Sequence, residues 1–135
     1  DAEHLAGAAH TRLHFVHDQQ DAVFLRQLAQ ALVELGKIDR DPAMLRRGIE
    51  RLLTVVERKT DALDERYNLA CAYALLNQPD QAVRHLRACW EKDPDDVYRN
   101  AAEKDRDLQS ISSSPAYKKL LADYALPAPE PPKEE

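Results

Sequence analysis

Between Leu63 and Asp96 the sequence leaves few folds open. Apolar residues in Tyr67-Asn68-Leu69-Ala70-Cys71-Ala72-Tyr73-Ala74-Leu75-Leu76 recur at helical spacing. The break Asn77-Gln78-Pro79 comes next, and Ala82-Val83-Arg84-His85-Leu86-Arg87-Ala88-Cys89-Trp90 resumes the same period before Asp93-Pro94. Two amphipathic helices of similar length, joined by so short a turn, must fold back as an antiparallel pair. Ala70 and Ala82 stand where a close approach tolerates little more than a methyl group, while Leu69, Tyr73, Leu86 and Trp90 supply apolar bulk.

The rest of the chain reads as helix too. It has three Gly, few β-branched residues, many Ala, Leu, Arg, Glu and Gln, and no run of strict two-residue alternation. At 135 residues it fits one domain able to bury roughly two thirds of its unfolded surface. Residues 1–20 read as an N-terminal helix with Leu5, Ala9, Leu13 and Val16 on one face, expected to dock on the helices next in the chain. Asp21 is expected to cap a helix from Ala22 to Leu35, with Phe24, Leu25, Leu28, Ala29, Leu32 and Leu35 apolar and Gly36 as its stop. Asp41-Pro42, a cap followed by proline at the first helical position, opens the next helix to about Arg58. Its core candidates are Leu45, Ile49, Leu52, Leu53, Val55 and Val56. Thr60-Asp61 is expected to cap the helix at Leu63, and Asp96 a short helix from Val97 to about Lys104. Ser114-Pro115 opens a last helix facing inward through Tyr117, Leu120 and Leu121. The tail 125–135, rich in Pro and Glu, cannot bury a core and reads as a disordered linker or free end.

Leu69-Ala70, Tyr73, Ala82, Leu86, Cys89 and Pro94 stand in the order and spacing of the tetratricopeptide repeat (TPR), a helix-turn-helix unit of about 34 residues, and the stretch resembles that family. Two positions depart from its pattern: Arg66 replaces a large apolar residue and Cys89 a frequent Ala. Upstream, Leu28-Ala29, Leu32, Gly36, Gly48, Leu52 and Val55 resemble a degenerate repeat over 22–58, with an insertion of about seven residues accommodated by Ile38 to Arg47. After the clear repeat, 63–96, comes a segment over 97–124 that resembles the closing element of bacterial TPR arrays: Asp107-Leu108, then Pro115, Tyr117 and Leu120-Leu121. The resemblance implies an all-α, right-handed α-solenoid of about two TPR-like hairpins within 21–124, preceded by the N-terminal helix and closed by a C-terminal helical cap.

The same resemblance implies a function. The family lines a concave groove with the first helix of each repeat, and there it binds an extended or helical peptide. Carried over by position, this assigns Arg26, Gln30, Val33, Glu34, Asp64, Tyr67, Asn68, Cys71 and Leu75 to partner binding. Arg26, Gln30 and Asn68 are similar in kind to the family's carboxylate clamp, but Tyr98 and Ala102 stand where its third-repeat cations belong. Catalysis finds no support: there is no Gly-rich phosphate loop, no CxxC, no HExxH and no Gly-x-Ser-x-Gly elbow, and no cofactor is expected. Ser112-Ser113-Ser114 ends in a helix cap, and the acidic residues from Asp39 to Glu65 alternate with cations as a solvated face does. Arg46, Arg47, Arg51, Arg58 and Lys59 make one helix locally basic.

A net charge of −5 argues against nucleic acid or an anionic membrane as partner. No apolar run reaches the roughly 20 residues of a membrane span, and Asp1-Ala2-Glu3-His4 lacks the order of a signal peptide. The chain does not begin with Met and is expected to be a piece of something longer. The resemblance implies that Cys71 points toward the groove and Cys89 toward the following helix, so the two are expected to stay unpaired thiols in a reducing, cytoplasmic setting. Two alternatives remain: a structural or homo-oligomerising domain, and a metal-binding helix at His10, His14 and His17, whose imidazoles share one direction.

Overall fold

The computed structural model describes residues 23–59 and 61–125. The expected N-terminal helix over 1–20, its histidines His10, His14 and His17, the Asp21 cap, Thr60 and all but the first residue of the Pro/Glu-rich tail lie outside them. The described residues are all-α, with no strand among them. In chain order they form α1 (23–39), α2 (Pro42–Arg58), α3 (Leu63–Leu75), α4 (Pro79–Trp90), a 3₁₀ turn Pro94–Asp96, α5 (Val97–Lys104), a 3₁₀ segment Arg106–Ile111 and α6 (Pro115–Asp123). No helix among them is long and apolar enough to cross a membrane.

Both hairpins turn by the same device. Arg40 and Asn77 take left-handed backbone angles, φ 50° and 57°. The next amide then reaches back to the last turn of the preceding helix: Asp41 N donates to Gly36 O and Gln78 N to Tyr73 O, each at 3.0 Å. Proline comes at once, Pro42 and Pro79, where a missing N–H costs nothing. Asp41 caps α2 as its sequence implies, accepting from the amides of Ala43 and Met44.

The turn corrects two expectations. Gly36 does not stop α1, which runs three residues further, and no insertion separates α1 from α2. Gly36 is glycine because α2 is close: a Cβ there would sit 2.8 Å from Leu45 Cγ, and one on Gly48 would sit 2.7 Å from Val33 Cγ2. The extra length of the first hairpin lies instead in longer helices.

Packing keeps to chain order. α2 lies against α3 and α3 against α4. The 3₁₀ segment then packs on α3, while α6 packs on α4. One buried cluster joins Ala29, Val33, Leu45, Ile49, Leu52, Val55 and Val56 to Leu69 and Ala72. A second joins Ala70, Ala82, Leu86, Cys89 and Trp90 to Leu108, Ile111, Tyr117 and Leu120. Burying each of the Val, Leu and Ile side chains among them stabilises by about 1.5–3 kcal/mol. The last helix starts as its sequence implies: Ser114 accepts from Tyr117 N, with Pro115 next. Arg87 of α4 holds Asp123 at 2.8 Å, and Trp90 meets Tyr124 edge-on at 5.5 Å.

Other local expectations fail for identifiable reasons. Asp96 is itself left-handed (φ 57°) and caps nothing; Asp93 does so instead, accepting from Arg99 N at 2.9 Å. α3 begins after Ala62 with no side-chain cap from Asp61. Phe24, Leu35 and Leu121 are exposed rather than core.

Candidate functional site

The nine residues assigned to partner binding separate into three groups. Five of them, Arg26, Gln30, Asp64, Tyr67 and Asn68, line one cleft between α1 and α3, together with Leu52 and Glu65; its volume is about 310 Å³. The helical period puts them there, since Arg26 and Gln30 are one turn apart on α1, as Asp64 and Asn68 are on α3. Arg26 Nε faces Glu65 Oε1 at 3.5 Å, too long for a good hydrogen bond, and this buried donor has no hydrogen-bond partner among the described residues. Within the described residues neither Gln30 nor Asn68 makes a side-chain hydrogen bond. The cleft therefore carries two side-chain amides that make no hydrogen bond among the described residues, beside the ion-paired Arg26.

Val33 and Cys71 do not belong to it. Each is 2 % exposed. The missing side chain of Gly48 draws Val33 inward against α2. Cys71 is covered from the other side by the 3₁₀ segment. Glu34 is exposed beside Lys37, at 3.5 Å. Leu75, near the end of α3, lines a separate hollow of about 300 Å³ with Leu76, Leu45, Pro42, Gly36, Lys37 and Arg40.

The cover over Cys71 is a polar latch that sequence reading missed. Asp105 Oδ2 accepts from Tyr67 Oη at 2.8 Å and from the Cys71 thiol at 3.6 Å, and its Oδ1 caps Asp107 N at 2.9 Å. Lys37 of α1 reaches Asp107 at 2.7 Å. Nearby, Tyr98 donates to Asp64 and its ring tilts against Tyr67 at 5.8 Å. The side of α3 beyond Tyr67 is thus occupied by the chain's own residues. No local motif announces Asp105 and Asp107; only the Asp107-Leu108 of the closing segment marks their neighbourhood.

Electrostatics keep this latch protonated where it donates. Burial, then the Asp105 hydrogen bond, pushes the Tyr67 hydroxyl far above its ordinary range. Burial and the charges of Asp105 and Asp107 push the Cys71 thiol up as well. For Lys37 burial acts downward, but the hydrogen bond and charge of Asp107, with Glu34, outweigh it, and its pKa ends above the usual lysine value.

Cys71 Sγ, Asp105 and Asp107 place three metal-type ligand atoms within 4.8 Å of one another. The two carboxylates already accept from Tyr67, the Cys71 thiol, a backbone amide and Lys37. A thiol held well above neutral pH is also a poor source of thiolate, so the cluster is self-satisfied without a cation. Cys89, pushed up to about 12 by burial and by Asp93 and Asp64, donates to Leu63 O instead. Both cysteines are buried and free.

Compared with known proteins, the chain matches no family model, no curated protein and no solved structure.

Proposed function

We propose that the chain is a non-catalytic protein–protein interaction module that holds an extended peptide segment in the α1/α3 cleft. In this reading the architecture is TPR-like, a right-handed α-solenoid of about two hairpins, and the cleft is the open half of its concave groove. The observation that carries it is a set of polar groups around one opening that make no hydrogen bond among the described residues: the Arg26 Nε, held only by its 3.5 Å ion pair with Glu65, the Gln30 amide and the Asn68 amide. A side-chain amide donates and accepts together, which matches a peptide backbone, and an arginine donor matches a carbonyl or carboxylate.

The groove is short, because Asp105 and Asp107 fill its continuation past Tyr67. Binding is therefore confined to the first two first-position helices, and Val33, Cys71 and Leu75 play no part in it. A reducing, cytoplasmic setting belongs to the same proposal, supported by two buried thiols left unpaired.

Selection from a displayed random-peptide library tests it. Selected peptides should lose affinity at least about tenfold, equivalent to about 1.4 kcal/mol, when Arg26→Glu and Asn68→Ala are combined. A double variant that keeps the wild-type peptides at wild-type affinity overturns the assignment.

A further inference from the structure

The hollow between the first hairpin turn and the end of α3 shares no lining residue with the α1/α3 cleft, and its character is opposite. Leu45, Leu75, Leu76 and Pro42 give it an apolar wall. Its charged lining residues are Lys37 and Arg40, and no acidic side chain lines it among the described residues. At about 300 Å³ it stands at the small end of the range for ligand pockets. Leu45 is buried by the fold, whereas Leu75 is left 36 % exposed.

The two cations are not equivalent. Lys37 is already countered, by Asp107 at 2.7 Å and by Glu34 at 3.5 Å. Arg40 is exposed and makes no ion pair among the described residues. It also occupies a position that its own backbone does not favour: its φ is 50°, and the matching left-handed residue of the second hairpin is Asn77, at 57°. Asparagine enters that region more readily than arginine does. The first turn therefore accepts a conformational cost and sets a guanidinium without a counter-charge beside a leucine-lined hollow.

We infer that this hollow binds a small amphiphilic carboxylate, its aliphatic chain against Leu45, Leu75 and Leu76 and its two oxygens on the Arg40 guanidinium. Each part of such a ligand meets the lining that suits it: the chain leaves water for the leucines, and the carboxylate matches the planar fork of the arginine. A cationic amphiphile of the same length fits the leucines but meets two like charges. The inference stands independently of peptide binding in the cleft, because the two openings have no residue in common.

Octanoate, titrated into the isotopically labelled full chain, tests it. Amide shifts at Gly36, Leu45, Leu75 and Leu76 are expected to saturate together with a Kd of about 1 mM or tighter. Octylammonium should bind there at least about tenfold more weakly. Arg40→Asn should raise the octanoate Kd about tenfold while Tm stays level or rises, a split that a merely structural arginine does not produce. Leu75→Gln, at a partly exposed position, should weaken binding as well. Shifts that fail to saturate, octylammonium that binds as tightly as octanoate, or an octanoate Kd unchanged in Arg40→Asn and Leu75→Gln each overturn the inference. A peptide ending in leucine that binds the same amides more tightly than octanoate overturns it in favour of a polypeptide end as the occupant.

Discussion

The two hairpins are built on one turn and packed in opposite ways. Superimposing Arg40 on Asn77 pairs Val33 with Ala70, Gly36 with Tyr73, Leu45 with Ala82 and Gly48 with His85. In the first hairpin the bulk lies at Val33 and Leu45, and glycine makes room for it at 36 and 48. In the second the alanines Ala70 and Ala82 are fully buried, and the bulk moves to Tyr73 and His85, whose rings stack at 5.5 Å and 2°. Close approach of the helices is kept in both, while the positions that permit it are exchanged. Four positions thus behave as one packing unit whose total volume matters more than any single residue.

The sharpest way to break that comparison is a cycle at Leu45 and Gly36. Leu45→Ala should cost about 3 kcal/mol in denaturant unfolding, since the side chain is 5 % exposed. Gly36→Ala should destabilise the wild-type chain by about 1 kcal/mol, because its methyl meets Leu45 Cγ. In the Leu45→Ala background that cost should shrink toward zero, since the helix-forming gain of the added methyl then meets only the backbone N at position 45, 3.1 Å away. Equal effects in the two backgrounds would falsify the exchange.

The second hairpin has no glycine to receive added bulk. Ala82→Leu should therefore cost about 2 kcal/mol, measured in the same way. A neutral outcome there would mean that α3 and α4 can part without loss.

Where the first hairpin has Gly48, the second has an ionisable ring. Burial, then the positive charges of Arg66 and Arg84, pulls the His85 pKa down to about 4, and its Nδ1 has no hydrogen-bond partner among the described residues. The folded chain resists a proton that the unfolded chain accepts below the ordinary histidine pKa of about 6.5. Stability from this group is accordingly full above pH 6.5 and is lost as pH falls from there toward 4. The loss is about 1.5 kcal/mol, with the shift roughly halved for the ring's partial exposure to solvent. His85→Leu should flatten unfolding free energy over that window, and an unchanged slope would assign the dependence elsewhere.

The smallest effect concerns the bond between the first hairpin and the closing segment. Lys37→Met should cost about 1 kcal/mol and weaken with added salt in the wild type, as a half-buried ion pair does. If the variant matches the wild type at low salt, the latch holds through Tyr67 alone.

Sequence patterning locates the helices of the second hairpin because its small residues, Ala70 and Ala82, mark the close approach directly and are fully buried there. It misaligns the first for the complementary reason. With glycine at 36 and 48, Leu28-Ala29 takes on the look of the small-residue pair, and an insertion is needed to restore the count. Caps followed by proline, at Asp41 and Ser114, are legible because they are local chemistry. Gly36 misleads since the left-handed residue is Arg40, and a helix stop is set by backbone angle, not by the nearest glycine. Around the cleft, helical period alone places Arg26, Gln30, Asp64, Tyr67 and Asn68. It cannot foresee Asp105 and Asp107, which reach Tyr67, Cys71 and Lys37 from far along the chain.

The grip of Lys37 on Asp107 changes how the molecule should come apart. Helical units that touch only their neighbours can fray from either end, one at a time, each with its own melting point. Here a side chain of the first described helix is clasped by residues that come after the fifth. Loosening at one extremity is then felt at the other, and a probe at Trp90 and one in α1 should report the same all-or-none transition.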